Sequence, residues 1–120
     1  MNYELTQRFY FEAAHTLQRQ VDAEPSRRVH GHTYLAEVSV SGTPDPATGM
    51  LVDLAHLRRA IHTLRDKLDH RLLDEVPGLG PATLENLCAF IARELSQAGW
   101  NLAYVVVRRE ASGDACRIFP

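Results

Sequence analysis

From Tyr3 to Ala13 apolar residues fall on the odd positions Tyr3, Leu5, Phe9, Phe11 and Ala13. Glu4, Thr6, Arg8 and Glu12 lie between them. A period of two is that of a half-buried strand, because successive side chains of an extended chain point to opposite faces. His15 continues the apolar parity. The same alternation predicts a second strand over His32–Gly42, with Tyr34, Ala36, Val38 and Val40 on one face and Thr33, Glu37, Ser39 and Ser41 on the other. His30 and His32 extend its apolar face. The period then changes. Leu54, Leu57, Ile61, Leu64 and Leu68 recur at three-and-four spacing after Asp53, a good N-cap, and predict an amphipathic helix over residues 53–68. A second helix carries Leu84, Leu87, Cys88, Ile91 and Leu95, with Thr83 as N-cap and Gly99 placed to stop it. YVVVRRE (104–110) reads as a third strand and Ala115–Phe119 as a short fourth. The order ββααββ predicts an α+β fold: one four-stranded antiparallel sheet with both helices on one face.

The rest of the chain adds little architecture. SGTPDPATG (41–49) is the richest turn region and reads as one long surface connection, and no repeat or low-complexity tract interrupts the pattern. A chain of 120 residues has room for one domain, residues 1–120. A net charge of -2 disfavours nucleic acid and acidic membranes, which need a basic stripe, and leaves a small molecule as the expected partner. The first residues carry no basic segment followed by an apolar run, so a cytoplasmic location is expected. Cys88 and Cys116 lack CxxC spacing and are expected to be reduced thiols, neither a staple nor a metal site.

Candidate chemistry gathers at strand ends. Residues two apart on a strand point the same way, so His30 and His32 can direct two imidazoles at one point, with Gly31 leaving space beside the backbone. His15 joins them if the first two strands are neighbours. Three neutral imidazoles suit zinc, and stopping at three leaves a fourth position open, as in catalytic sites. An HxH pair is also common as plain surface or core histidine. Asp69–His70 can form an acid–base pair, the aspartate fixing the tautomer of the imidazole, or can cap the helix before it. Glu110 can accept two parallel hydrogen bonds from an aminopyrimidinone edge, or can be an exposed strand-end charge. Thr83 and Glu85 can line a pocket or cap the second helix. His56 and His62 receive no role, and Tyr34, Trp100, Phe9 and Phe11 read as core.

Taken together, FYFEAAH (9–15), VHGHTY (29–34), GMLVDLAHLR (49–58), LDHRLL (68–73), TLEN (83–86) and Glu110 resemble the 6-pyruvoyl-tetrahydropterin synthase and 6-carboxy-tetrahydropterin synthase family, nearly end to end. The length fits the bacterial queuosine-pathway branch. The resemblance implies the tunnelling fold (T-fold), assembled as trimers that pair into a hexamer with active sites between subunits. It implies zinc on His15, His30 and His32, 7,8-dihydroneopterin triphosphate as substrate, and an anchor for the pterin edge at Glu110. Thr83 and Glu85 fall at pterin-pocket positions, and Asp69 and His70 at those of the acid–base pair. Arg27 and Arg28 are candidates for the triphosphate.

One departure is chemical. Where family synthases carry a cysteine four residues before HGH, this chain has Ser26, and a hydroxyl is far too weak an acid to replace a thiol alone. Asp22 and Glu24 in the same loop offer carboxylates. Asp74 and Ala82 stand where asparagine and proline are usual. The readings that follow are a zinc-dependent lyase forming 6-carboxytetrahydropterin, an aldolase-like cleavage to 6-hydroxymethyl-dihydropterin with Glu24 as the replacing group, and a pterin- and zinc-binding paralogue with little turnover.

Overall fold

The computed structural model describes all residues from Met1 to Pro120. Its largest feature is a hairpin of two 13-residue strands, β1 (Tyr3–His15) and β2 (His30–Gly42), paired without interruption from Tyr3 opposite Gly42 to His15 opposite His30. Their alternation decides the layering. Phe9, Phe11, Ala13, Tyr34, Ala36, Val38 and Val40 form one buried face, and Phe11 stacks on Tyr34 with ring centroids 4.9 Å apart. The same face of β4 (Leu102–Arg109) adds Val105 and Val107, and β5 (Asp114–Ile118) adds Cys116 and Ile118 at its margin.

Two helices cover this face, as their stripes predict. α2 (Leu54–Arg65) turns in Leu57, Ile61 and Leu64, and α3 (Leu84–Gln97) turns in Leu87, Cys88, Ile91 and Leu95. Both expected caps form: Asp53 accepts from the Ala55 N–H, and Thr83 from the Asn86 N–H. Gly99, at φ 95°, lies just past the α3 cap Ala98. Phe11 is fully buried against the paired strand and the helices, so Phe11→Ala is expected to cost about 3–5 kcal/mol of stability. A denaturant midpoint unchanged by that substitution would contradict this account of the core.

The sheet is larger than four strands and is not wholly antiparallel. Its order is β3-β1-β2-β4-β5, and β3 (Arg71–Leu72) runs parallel to β1, pairing with Ala13 and Ala14. A two-residue strand has no periodicity of its own; only the edge of β1 defines it. A third helix, α1 (Ala23–Arg27), sits in the β1–β2 connection, and a 3₁₀ turn (Leu73–Glu75) follows β3. The element order is therefore ββααββ with a short helix and a short strand inserted. Boundaries shift as well: α2 stops at Arg65, not residue 68, with Asp66 as its cap, and β4 ends at Arg109, leaving Glu110 in the following turn.

The opposite sheet face has no helix over it. Tyr10 is 55% exposed there, while Arg8 and Tyr104 both hydrogen-bond the Glu37 carboxylate, at 2.7 and 2.6 Å. No helix is long and apolar enough to cross a membrane.

Candidate metal centre and adjoining grooves

The hairpin register places His15 directly opposite His30, and His32 two residues further on the same face. Their Nε2 atoms converge. His15 Nε2 lies 2.9 Å from that of His30 and 3.0 Å from that of His32, and all three potential ligand atoms fall within 4.8 Å of one another. The other ring nitrogens fix the tautomers. His15 Nδ1 donates to the Ala82 carbonyl at 2.8 Å and His30 Nδ1 to the Arg28 carbonyl at 2.7 Å, so each of these rings turns an Nε2 lone pair toward the other. Facing lone pairs at that distance repel unless a cation lies between them. A tetrahedral zinc with Zn–N bonds of 2.0–2.1 Å separates its nitrogens by roughly 3.3 Å, close to the His15–His30 and His15–His32 spacings.

The environment of His15 and His32 favours the neutral imidazole, the form that ligation requires. Burial, followed by the neighbouring charges of His15, Arg109 and His30, pulls His32 down to about 4; burial likewise lowers His15. In an unfolded chain histidine protonates near pH 6.5. Between about pH 6.5 and 4 the unfolded state therefore binds more protons than the metal-free folded state, and stability rises with pH across that window. With chelator present, the urea midpoint is expected to be lower at pH 5 than at pH 7. A midpoint equal or higher at pH 5 would contradict the neutral cluster.

Asp69 and His70 are joined at 2.9 Å between Oδ2 and Nδ1. Asp69 is held from three sides: Oδ1 accepts the Glu12 N–H at 2.9 Å, and Oδ2 also meets Arg65 Nη2 at 3.2 Å. Burial alone would raise its pKa, but the Glu12 bond, His70 and Arg65 together hold it below the usual carboxylate value. His70 has φ 58°, a left-handed conformation uncommon outside glycine, and its N–H donates to the Glu12 carbonyl at 2.6 Å. Five residues past the end of α2, it is not that helix's cap. Its exposed ring lines a groove of about 530 Å³ together with Gly31, His32 and Thr33. His70 and His32 thus share one opening. A Cβ on Gly31 would stand 3.6 Å from the Ala13 carbonyl, an ordinary contact, so the strand backbone does not itself require glycine there.

On the other side of His15 lies a second cavity of about 430 Å³, lined by Thr83, Glu85, Arg19, Arg109 and Asp114 among others. Thr83 therefore both caps α3 and lines a cavity beside His15, and Glu85 lines that cavity from the first turn of the helix. Glu110 is exposed and lines neither opening of this single chain.

Ser26 is buried, and its hydroxyl is committed to the loop. It lies 2.6 Å from the Ala23 carbonyl and 3.0 Å from that of Leu17, and accepts the Arg19 N–H at 3.2 Å. Glu24, by contrast, is exposed and 3.6 Å from Arg28. Both cysteines are free; burial, then the proximity of Cys116, pushes the Cys88 thiol up to about 12, and its Sγ lies 3.2 Å from the Cys116 carbonyl. Two supporting groups escaped the sequence reading. The Ala82 carbonyl orients His15, and Asp74 fixes the residue after His15 by accepting from both the N–H and the hydroxyl of Thr16. A backbone carbonyl carries no residue-type signal.

The sequence profile of the 6-pyruvoyl tetrahydropterin synthase family matches residues 4–119, and the chain belongs to that family. It is 34% identical over 116 residues to the 6-carboxy-5,6,7,8-tetrahydropterin synthase of Synechocystis, a match covering 92% of this chain and 88% of the relative. It is 33% identical over 103 residues to the 6-pyruvoyl tetrahydrobiopterin synthase of Dictyostelium discoideum, covering 76% of each. The solved structure of Caenorhabditis elegans 6-pyruvoyl tetrahydropterin synthase superposes with a TM-score of 0.84 over all of this chain and 96% of that one, at 24% identity.

Proposed function

We propose that the protein is a zinc-dependent lyase acting on 7,8-dihydroneopterin triphosphate, similar to 6-carboxytetrahydropterin synthase. The observation that carries this reading is the convergence of the three Nε2 atoms, two with their tautomers fixed by backbone carbonyls, beside a groove that also holds His70. The match to the Synechocystis relative, over 92% of this chain, favours the 6-carboxy branch.

When bound, zinc supplies Lewis acidity toward oxygens of the substrate side chain. The remaining work falls to the chain. Asp69 orients His70 through Nδ1, leaving Nε2 to take up and return protons at the side-chain carbon or hydroxyl during cleavage. Thr83 and Glu85 bound the cavity on the far side of His15. Glu110 anchors the pterin edge, and because it lines neither opening of one chain, this role is assigned across a subunit boundary in a hexamer of paired trimers. The helix-free sheet face and the long outer edge of β1, paired only at Ala13 and Ala14, favour such an assembly. A cytoplasmic setting suits a small-molecule enzyme of this kind.

A second reading keeps fold and substrate but yields 6-hydroxymethyl-dihydropterin. It is favoured by the contrast in the β1–β2 connection, where Ser26 points its hydroxyl at backbone and Glu24 presents an exposed carboxylate, 3.6 Å from Arg28. Incubating the zinc-loaded protein with dihydroneopterin triphosphate and identifying the pterin decides the branch. Formation of 6-carboxytetrahydropterin with acetaldehyde and triphosphate supports the first reading, 6-hydroxymethyl-dihydropterin the second. Binding without turnover would overturn both and leave a pterin- and zinc-binding paralogue.

A further inference from the structure

Arg109 is the last residue of β4 and lies against the metal centre. Its Nη1 is 3.4 Å from His32 Nε2, the atom aimed at the metal position, and its Nη2 is 2.9 Å from Asp114 Oδ2. Ser112 Oγ donates to the same carboxylate oxygen at 2.8 Å, which fixes the anchor. The Nε of Arg109 is buried with no partner, and the side chain is only 19% exposed.

This arrangement is incomplete once the site is loaded. An imidazole Nε2 that ligates a metal has no lone pair left to accept from a guanidinium, so Nη1 then loses its only neighbouring acceptor, and Nε has none already. Buried donors without acceptors are costly. A fixed positive charge beside a cation also weakens metal binding rather than aiding it, so metal affinity does not explain the residue. The lost partner of Nη1 and the charge repulsion are both relieved if a negatively charged oxygen occupies the open position. The cavity beside Arg109 also holds Arg19, while its carboxylates are Glu85 and Asp114, the latter already paired with Arg109.

We propose that Arg109 is a ligand-binding residue that selects an anionic oxygen, a carboxylate or a deprotonated hydroxyl, at the metal position beside His32. This rests on the metal reading above. Asp114 and Ser112 are its positioning residues, holding Nη2 so that Nη1 faces the incoming oxygen. A fork of N–H donors with a delocalised charge suits such an oxygen better than an ammonium does.

The test uses the cobalt(II)-substituted protein, whose visible absorption reports on the fourth ligand without turnover, titrated with acetate and with neutral acetamide. Wild type is expected to bind acetate at least tenfold more tightly than Arg109→Gln, with Arg109→Lys between them and acetamide weak and equal in all three. Cobalt stoichiometry is expected to be unchanged, and metal affinity no lower in Arg109→Gln. Equal acetate affinity in wild type and Arg109→Gln would overturn the proposal. So would loss of metal or of folded structure in both variants, since Arg109 would then serve only to brace His32 and β5. Wild type that takes up no cobalt would instead sink the metal reading, and this proposal with it.

Discussion

His15→Ala is expected to abolish stoichiometric zinc binding and to lower turnover of the pterin substrate by at least about a thousandfold, because the Lewis acid goes with the ligand. His15 is the hub of the cluster. It is almost fully buried, its Nε2 is the common neighbour of His30 and His32, and the Ala82 carbonyl fixes its ring. Weakening an outer partner of a metal ligand typically costs 10–100-fold in affinity, and losing the ligand costs more. The fold should survive, with a penalty of about 1–3 kcal/mol for the small cavity and the unpaired carbonyl. Metal analysis beside a thermal melt separates these effects: one zinc per chain with near-normal turnover would remove the three-histidine centre from the mechanism.

His70→Asn is expected to lower kcat by about 10²–10⁴ while metal content stays at the wild-type level. Asparagine is the informative replacement because it tolerates the left-handed backbone that His70 adopts at φ 58°, so conformation is kept while the proton carrier is removed. Alanine would add backbone strain to the chemical loss. Asp69→Asn should cost less in stability than its three contacts suggest, since Oδ1 can still accept from the Glu12 N–H. It would nevertheless misorient the imidazole, so kcat should again fall more than metal content. If His70→Asn turns over normally, the pair is a turn-stabilising contact and the proton carrier lies elsewhere.

The sequence by itself determined the parts whose signal is periodic. Two long alternating stretches become β1 and β2, two leucine stripes become α2 and α3, and HxH at one strand end with histidine at the facing end becomes a convergent cluster. A full hairpin register leaves no other place for His15 than opposite His30. Asp53 and Thr83 cap as read because capping is local, set within three residues.

What only the tertiary structure decided has contacts distant in sequence. β3 exists because Arg71 and Leu72 meet the edge of β1, some 58 residues away, and two residues carry no period. α1 and the burial of Ser26 follow from hydrogen bonds to Leu17, Arg19 and Ala23, which turned a presumed catalytic position into one whose hydroxyl is held by backbone. Arg109 gave no sign in the sequence; crossing from β4 to His32 on β2 brings it beside the three histidines. Patterning fixes which face of an element is buried, because burial repeats with the geometry of the backbone. Which side chains meet across elements depends on register and loop path, and those are settled only when the sheet and helices pack.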